Sequence, residues 1–212
     1  MTIWFASGNS HKKKELADIL AGALPANSFE LKIPSDVGLE FDPDETGNTF
    51  LENALIKAAA LHSLLEKSPF YKTGDPVIAD DSGICVDSLN GRPGIHSARY
   101  GGRELAADEK NALLLSELGS NPRREARFVC AMVLYFSPDH FCVAQETMEG
   151  ELVKDIESGR GGGGFGYDPI LYIPALGRTV AELPDEEKNR LSHRGKAGKI
   201  IAIILKGVGS RE

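Results

Sequence analysis

The sequence predicts an α/β fold, and three observations carry that prediction. A short apolar run, Ile3 to Ala6, leads through Ser7-Gly8-Asn9-Ser10 into a segment whose apolar residues recur at helical spacing. Further helical segments alternate with short apolar or alternating runs, separated by Gly, Pro, Asn and Asp. The composition is globular, 42% hydrophobic and 26% charged, with no internal repeat or low-complexity linker. Dividing 212 residues by roughly 150 per domain gives about 1.4. The expected architecture is one α/β domain over residues 1–212, built as two lobes around a cleft.

Each element has its own signal. Ile3 to Ala6 reads as a buried strand, and Leu16, Ile19, Leu20, Ala23 and Leu24 form one helical face after it. Phe29, Leu31 and Ile33 alternate with polar residues as a half-buried strand, and Pro34 to Gly47 is a long acidic loop. Thr49-x-x-Glu52 is a capping box opening a helix with Leu51, Leu55, Ala58, Leu61 and Leu65 on one side. Ser68 to Pro76 links it to a short buried strand, Val77 to Ala79, which Asp80-Asp81-Ser82-Gly83 is expected to end. Asn90 to Gly102 reads as a structured loop before a helix around Asp108 to Leu118, closed by Gly119. Arg127 to Phe136 and His140 to Glu149 are two strands of a hairpin, and Ile170 to Ile173 is another strand. The tail is helical, broken at Ser192 to Gly195, with an apolar face of Ala197, Ile200, Ile201, Ile204 and Leu205.

Charge and hydropathy exclude several functions. With 24 basic and 31 acidic residues the net charge is −7, so no broad cationic surface exists for nucleic acid, and any bound anion must be held locally. The runs Phe128 to Phe136 and Ile200 to Leu205 are far shorter than the roughly 20 residues that cross a bilayer. Ile3 to Ala6 is too short for a signal peptide, and Lys12, Lys13 and Lys14 follow it, so a cytoplasmic location is expected. Cys85, Cys130 and Cys142 form no Cys-x-x-Cys and read as reduced core thiols.

Four constellations could carry chemistry. The segment Ser7, Gly8, Asn9, Ser10, His11, Lys12 places small polar residues and cations at a helix amino end. Lysines there are unfavourable unless an anion sits among them, and a bound phosphate would supply one. By itself the same segment also reads as a capped helix with solvated lysines. The chain has neither a P-loop nor a dinucleotide-binding glycine pattern after its first strand. Asp44-Glu45 and Asp80-Asp81 are carboxylate pairs of the kind that suits Mg²⁺, which takes one or two carboxylates plus substrate phosphates. Strand neighbours point to opposite faces, so Asp80 and Asp81 are expected to do different work, one toward the cleft and the other supporting the turn. Six of the eight residues from Gly159 to Gly166 are glycine, with Phe165 among them as a candidate for stacking on a base. Lys188, His193, Arg194 and Lys196 gather hydrogen-bond donors at a helix break. The last two features also read as a flexible loop and a basic solvated helix end.

Taken together, these segments resemble the inosine triphosphatase, or Ham1-like, family of non-canonical purine nucleoside triphosphate pyrophosphatases. The resemblance covers nearly the whole chain in six pieces: Ala6-Ser7-Gly8-Asn9 with Lys12; Glu45-Thr46-Gly47 with Phe50-Leu51-Glu52-Asn53-Ala54 and Lys57-Ala58; Ala79-Asp80-Asp81-Ser82-Gly83; Pro93-Gly94-Ile95 with Ser97-Ala98-Arg99-Tyr100; Gly164-Phe165-Gly166-Tyr167-Asp168-Pro169; and Glu187-Lys188 with Ser192-His193-Arg194-Gly195. Six pieces in one order are far more specific than any alone. The resemblance implies an elongated mixed sheet with flanking helices in two lobes around a central active-site cleft, Mg²⁺ as cofactor, and a homodimer. It implies hydrolysis of inosine, deoxyinosine and xanthosine triphosphates to the monophosphate and pyrophosphate, clearing the nucleotide pool.

Carried over position by position, the resemblance gives Ser7, Gly8, Asn9, Ser10, His11 and Lys12 to the phosphates, with Lys57 adding catalytic charge. Glu45 and Asp81 become metal ligands, and Asp81 the carboxylate that activates water, with Ser82 nearby and Asp80 as partner. Phe165 stacks on the base in the segment Phe165, Gly166, Tyr167, Asp168, while Asp168, Lys188, His193 and Arg194 read its edge. Donors suit the 6-keto oxygen of hypoxanthine or xanthine and not the 6-amino group of adenine. The Ser68 to Pro76 connection and Arg160 depart from the family pattern without replacing a site residue. Two alternatives stand beside this reading: a Maf-like pyrophosphatase of modified pyrimidine nucleotides, against which the Ser-His-Arg and Phe-Gly-Tyr-Asp motifs argue, and a nucleotide-binding module without turnover.

Overall fold

The computed structural model describes residues 1–102, 104–156 and 165–208. Gly159, Arg160 and Gly161 to Gly164 of the glycine run lie outside the described residues. The elements are β1 (Thr2–Phe5), α1 (Ser10–Ala21), β2 (Glu30–Lys32), α2 (Phe50–Leu65), β3 (Val77–Val86), α3 (Ala107–Leu118), β4 (Glu125–Ser137), β5 (His140–Leu152), β6 (Leu171–Ile173), β7 (Arg178–Thr179), α4 (Asp185–Leu191) and α5 (His193–Val208). The strands hydrogen-bond in the order β2-β1-β3-β4-β5-β6-β7. β1 is parallel to β2 and β3, whereas β5, β6 and β7 are antiparallel, so the sheet is mixed. No described helix is long and apolar enough to cross a membrane.

The chain divides into two compact units, each with its own core. One comprises Met1–Asp81, Cys130–Glu146 and the chain from Arg194; the other comprises Ser82–Val129 and Thr147–His193. In the first unit the side chains of β1 alternate between two clusters. Ile3 and Phe5 join Ile78, Met132, Leu134, Leu16 and Leu20 of α1, and Ala197 and Ile201 of α5. Trp4 and Ala6 join Val77, Ala79, Val133 and the Ala54, Ala58, Leu61 and Leu65 face of α2. α1 and α5 therefore cover one face of the strands and α2 the other. Burial on both faces explains why β1 and the start of β3 read as unbroken apolar runs.

The second unit gathers Ile84 and Val86 of β3, Leu114, Leu115 and Leu118 of α3, Phe128 of β4, Met148 and Leu152 of β5, and Ile170, Leu171 and Ile173 around β6. Local signals set the helix starts. Thr49 accepts from Glu52 N while the Glu52 side chain accepts from Thr49 N, the expected capping box. Asn9 Oδ1 caps α1, accepting from His11 N at 2.9 Å and Lys12 N at 3.1 Å.

Several expectations need correction. β3 does not end at Asp80; it runs through Asp81, Ser82 and Gly83 to Val86. Turn-type residues stay extended there because Ile84 and Val86 resume a buried apolar run and the Ser97 hydroxyl accepts from Ile84 N at 2.9 Å. α1 stops at Ala21, before Ala23 and Leu24. The tail break is the single residue Ser192, Ile200 of the expected apolar face is 36% exposed, and the pairing of β7 with β6 has no sequence signal. All three cysteines are free, but only Cys130 is fully buried; Cys85 and Cys142 are half-buried.

Candidate active site

Strand parity delivers the two acidic residues of β3 to different surroundings. Asp80 shares the face of Ile78, beneath α1 and α5, while Asp81 shares the face of Ala79, beneath α2. Asp80, 1% exposed, accepts from Lys12 Nζ at 2.9 Å on Oδ1 and from Arg194 Nε at 3.0 Å on Oδ2. Arg194 Nη1 also holds Glu15 of α1. Asp81 accepts from Lys57 Nζ at 3.2 Å on Oδ1 and from Asn53 Nδ2 at 3.2 Å on Oδ2. Lys57 and Asn53 are four residues apart on α2, one helical turn, and so meet one carboxylate together.

Lys57 also donates to Glu45 Oε1 at 2.9 Å, so one ammonium gathers the carboxylates of the acidic loop and of β3. Asn53 Oδ1 accepts from Gly47 N at 2.8 Å and fastens that loop two residues beyond Glu45. A Cβ on Gly47 would fall 2.7 Å from Asn53 Oδ1 and 2.9 Å from Asn53 N, so only glycine allows this approach.

The two aspartates differ electrostatically. Burial pushes the Asp80 pKa up, but Lys12, Arg194 and Lys57 outweigh it and hold the carboxyl well below its usual range. Burial dominates at Asp81 and raises its pKa, with Glu45 adding to the rise and Lys57 and Lys12 opposing it. Burial alone would lower the Lys57 pKa, but Asp81, Asp80 and Glu45 raise it, so the ammonium stays charged. Asp80 is a fixed anion locked to cations, whereas Asp81 is a carboxylate of higher basicity. Burial, with Asp80 adding to it, also pushes the Cys130 thiol, 3.9 Å from Asp80, up to about 12, so it stays protonated and unreactive.

A divalent cation fits the donor set Glu45 and Asp81. A buried carboxylate of raised pKa, beside a second carboxylate on the same lysine, is stabilised by added positive charge. Mg²⁺ needs one or two such oxygens with phosphates and water completing its shell. Among the described residues no cluster of three or more His, Cys, Asp or Glu offers an all-protein cage.

The amino-end segment departs from expectation in one respect. Ser7 Oγ accepts from Asn9 N at 3.1 Å, Gly8, Ser10 and His11 are exposed, and open space surrounds the Gly8 Cα. Each neighbouring lysine meets a carboxylate: Lys12 with Asp80, Lys13 with Asp36 at 2.6 Å and Lys14 with Asp18 at 3.4 Å. The unfavourable lysines at a helix amino end are thus balanced by side chains of the chain itself.

In the second unit, Asp168 is buried and its Oδ2 accepts from Phe165 N at 2.6 Å and Lys188 Nζ at 2.9 Å. The Phe165 side chain is 39% exposed, whereas Tyr167 is buried and donates its hydroxyl to Ser97 O at 2.9 Å. Gly166, at φ 67°, accepts from Asn111 Nδ2 at 3.1 Å through its carbonyl. His193 is stacked on Phe128 with ring centroids 4.9 Å apart. Ser82 is half-buried on β3.

The structure therefore brings Glu45, Lys57 and Asp81 together, and Phe165, Asp168 and Lys188 together. Arg194 is the second residue of α5, 3% exposed on the side facing α1, and its guanidinium is committed to Asp80 and Glu15. Sequence reasoning missed the roles of Asn53, Glu15, Ser97 and Asn111. For Asn53 a signal existed, since a polar residue one helical turn before Lys57 shares its face.

The chain is similar to known proteins along nearly its whole length. The model of the Ham1 family matches residues 3–202. A dITP/XTP pyrophosphatase of Treponema denticola is 47% identical over 210 residues, 98% of this chain and 100% of that protein. Another from Thermus thermophilus is 44% identical over 200 residues, 93% and 88% of the two chains. The solved Ham1 protein of Staphylococcus aureus superposes with a TM-score of 0.82 at 36% identity, covering 98% of this chain and 99% of its own.

Proposed function

The chain belongs to the Ham1 family, and from that premise we propose that it hydrolyses dITP, XTP and ITP to the nucleoside monophosphate and pyrophosphate. The observation that carries this reading is the Lys57 ammonium held between Glu45 and Asp81, at 2.9 and 3.2 Å, beside a fixed Lys12–Asp80 pair. Cleavage of a phosphoanhydride needs a positioned water, a base and positive charge against the leaving pyrophosphate. Asp81 supplies the base: its two oxygens carry about four lone-pair sites, of which Lys57 and Asn53 occupy two. Its raised pKa improves it as a proton acceptor.

Lys57 and Lys12 stabilise charge on the phosphates, and Gly8, Ser10 and His11 lie exposed at the amino end of α1, where the helix dipole favours anions. Glu45 and Asp81 would hold Mg²⁺, which when bound supplies Lewis-acid charge at the phosphate oxygens. Asp80 orients Lys12 and Arg194 and takes no proton, being held ionised.

Base recognition falls to the second unit. The exposed Phe165 ring offers a stacking face, and Lys188 and His193 donate toward a 6-keto oxygen, with Asp168 setting the position of Lys188. Arg194 contributes through Asp80. Assembly as a homodimer belongs to the same reading. The decisive experiment is turnover of a nucleoside triphosphate panel with Mg²⁺, with the phosphorus product identified by ³¹P NMR. Pyrophosphate from dITP and XTP, with dATP at least about a hundredfold slower, is expected. Release of orthophosphate, or equal turnover of dATP, would overturn the reading.

A further inference from the structure

The contacts around Asp81 form a closed circuit. From Asp81 Oδ1 it runs to Lys57 Nζ, then to Glu45, along the backbone to Gly47, through the Asn53 amide and back to Asp81 Oδ2. Asn53 is the member that touches both ends, since its Oδ1 takes Gly47 N at 2.8 Å and its Nδ2 reaches Asp81 at 3.2 Å. It is 0% exposed, its own N–H bonds to Thr49 O at 3.1 Å within the capped start of α2, and Gly47 leaves it no slack. A buried amide with both ends occupied has one orientation. It fixes how far the Glu45 loop stands from β3 and how the Asp81 carboxylate is turned.

We propose that Asn53 is a positioning residue for the divalent cation, setting the spacing and orientation of Glu45 and Asp81 without touching the metal. The idea rests on the assignment of those two carboxylates above. Hydrogen-bond partners behind ligating carboxylates typically change metal affinity or activity by about 10- to 100-fold.

The test uses the full chain with Mn²⁺ as probe, its binding followed by electron paramagnetic resonance in the presence of a dITP analogue with an α,β-imido bridge. The Mg²⁺ concentration for half-maximal dITP turnover is measured in parallel. Asn53→Ala removes both hydrogen bonds and the volume; Asn53→Leu removes both while keeping the branched shape. Both variants are expected to bind Mn²⁺ at least about tenfold more weakly and to need correspondingly more Mg²⁺. Nucleotide KM at saturating Mg²⁺ stays within about twofold, because the phosphate lysines are untouched. Wild-type Mn²⁺ affinity in Asn53→Leu would overturn the proposal, reducing Asn53 to a space-filling role. Glu45→Gln and Asp81→Asn serve as the reference: if neither weakens Mn²⁺, the metal assignment itself fails; if both do and the Asn53 variants do not, only the positioning role fails.

Discussion

Asp80→Asn tests the electrostatic frame most directly. The Asp80 side chain is 0% exposed and takes Lys12 Nζ at 2.9 Å and Arg194 at 3.0 Å. Asparagine keeps the shape but removes the charge and turns an N–H₂ group toward a cation, taking the carboxylate away from both Lys12 and Arg194. Breaking a buried ion pair by removing one partner costs roughly 3–5 kcal/mol. The Lys12 side chain is 14% exposed and can turn to water, so the expected loss is near the lower end, about 3 kcal/mol. For a chain of this length that is a fall in Tm of roughly 6–12 °C.

Trp4 is the single tryptophan, fully buried in the first unit, so its fluorescence in urea reports unfolding where the change is made. The sign with pH follows from the depressed folded-state pKa. The stabilisation is fully present above the unfolded-state value, about 3.9, and is lost as pH falls from there through the folded value. The gap between wild type and Asp80→Asn should be constant from about pH 8 to pH 5 and narrow below about pH 4. A loss under about 1 kcal/mol at neutral pH, or a gap that does not narrow in acid, would refute the picture of Asp80 as a fixed buried anion.

Other expectations follow from the same contacts. Asp81→Asn should abolish dITP turnover while nucleotide still binds in calorimetry; a variant keeping more than about a tenth of the wild-type rate, a loss under roughly 1.4 kcal/mol, would remove Asp81 from the chemistry. Lys12→Ala and Lys57→Ala should weaken triphosphates more than monophosphates, and equal losses in titrations with dITP and dIMP would place these lysines elsewhere. Lys188→Met should lower kcat/KM for ITP much more than for ATP, closing much of a gap of roughly a hundredfold, whereas Phe165→Ala should weaken both alike because stacking tolerates any base. A uniform loss in Lys188→Met would assign Lys188 to structure through Asp168.

The sequence legibly carried what depends on neighbours along the chain. The capping box at Thr49, the buried apolar strand from Ile3 and the opposite orientation of Asp80 and Asp81 follow from local geometry and period. Six short motifs in one order carried the family, and the match over residues 3–202 agrees. Where Asp-Asp-Ser-Gly suggested a turn, local propensity yielded to tertiary partners that pair each carboxylate and bury the apolar residues beyond.

What only the tertiary structure decided is which charges meet. Lys12 and Asp80 are 68 residues apart, Arg194 and Asp80 114, and Arg194 and Glu15 179. No spacing rule spans such separations; the pairings arise because α1 and α5 cover one face of β3 and α2 the other. The same layering sent Arg194 to Asp80, although His193-Arg194 sits close to Lys188 in sequence. Residue types determined the chemistry available to this chain, and layer packing determined which aspartate became a locked anion and which a carboxylate of raised pKa, because burial and charge are properties of the folded surroundings.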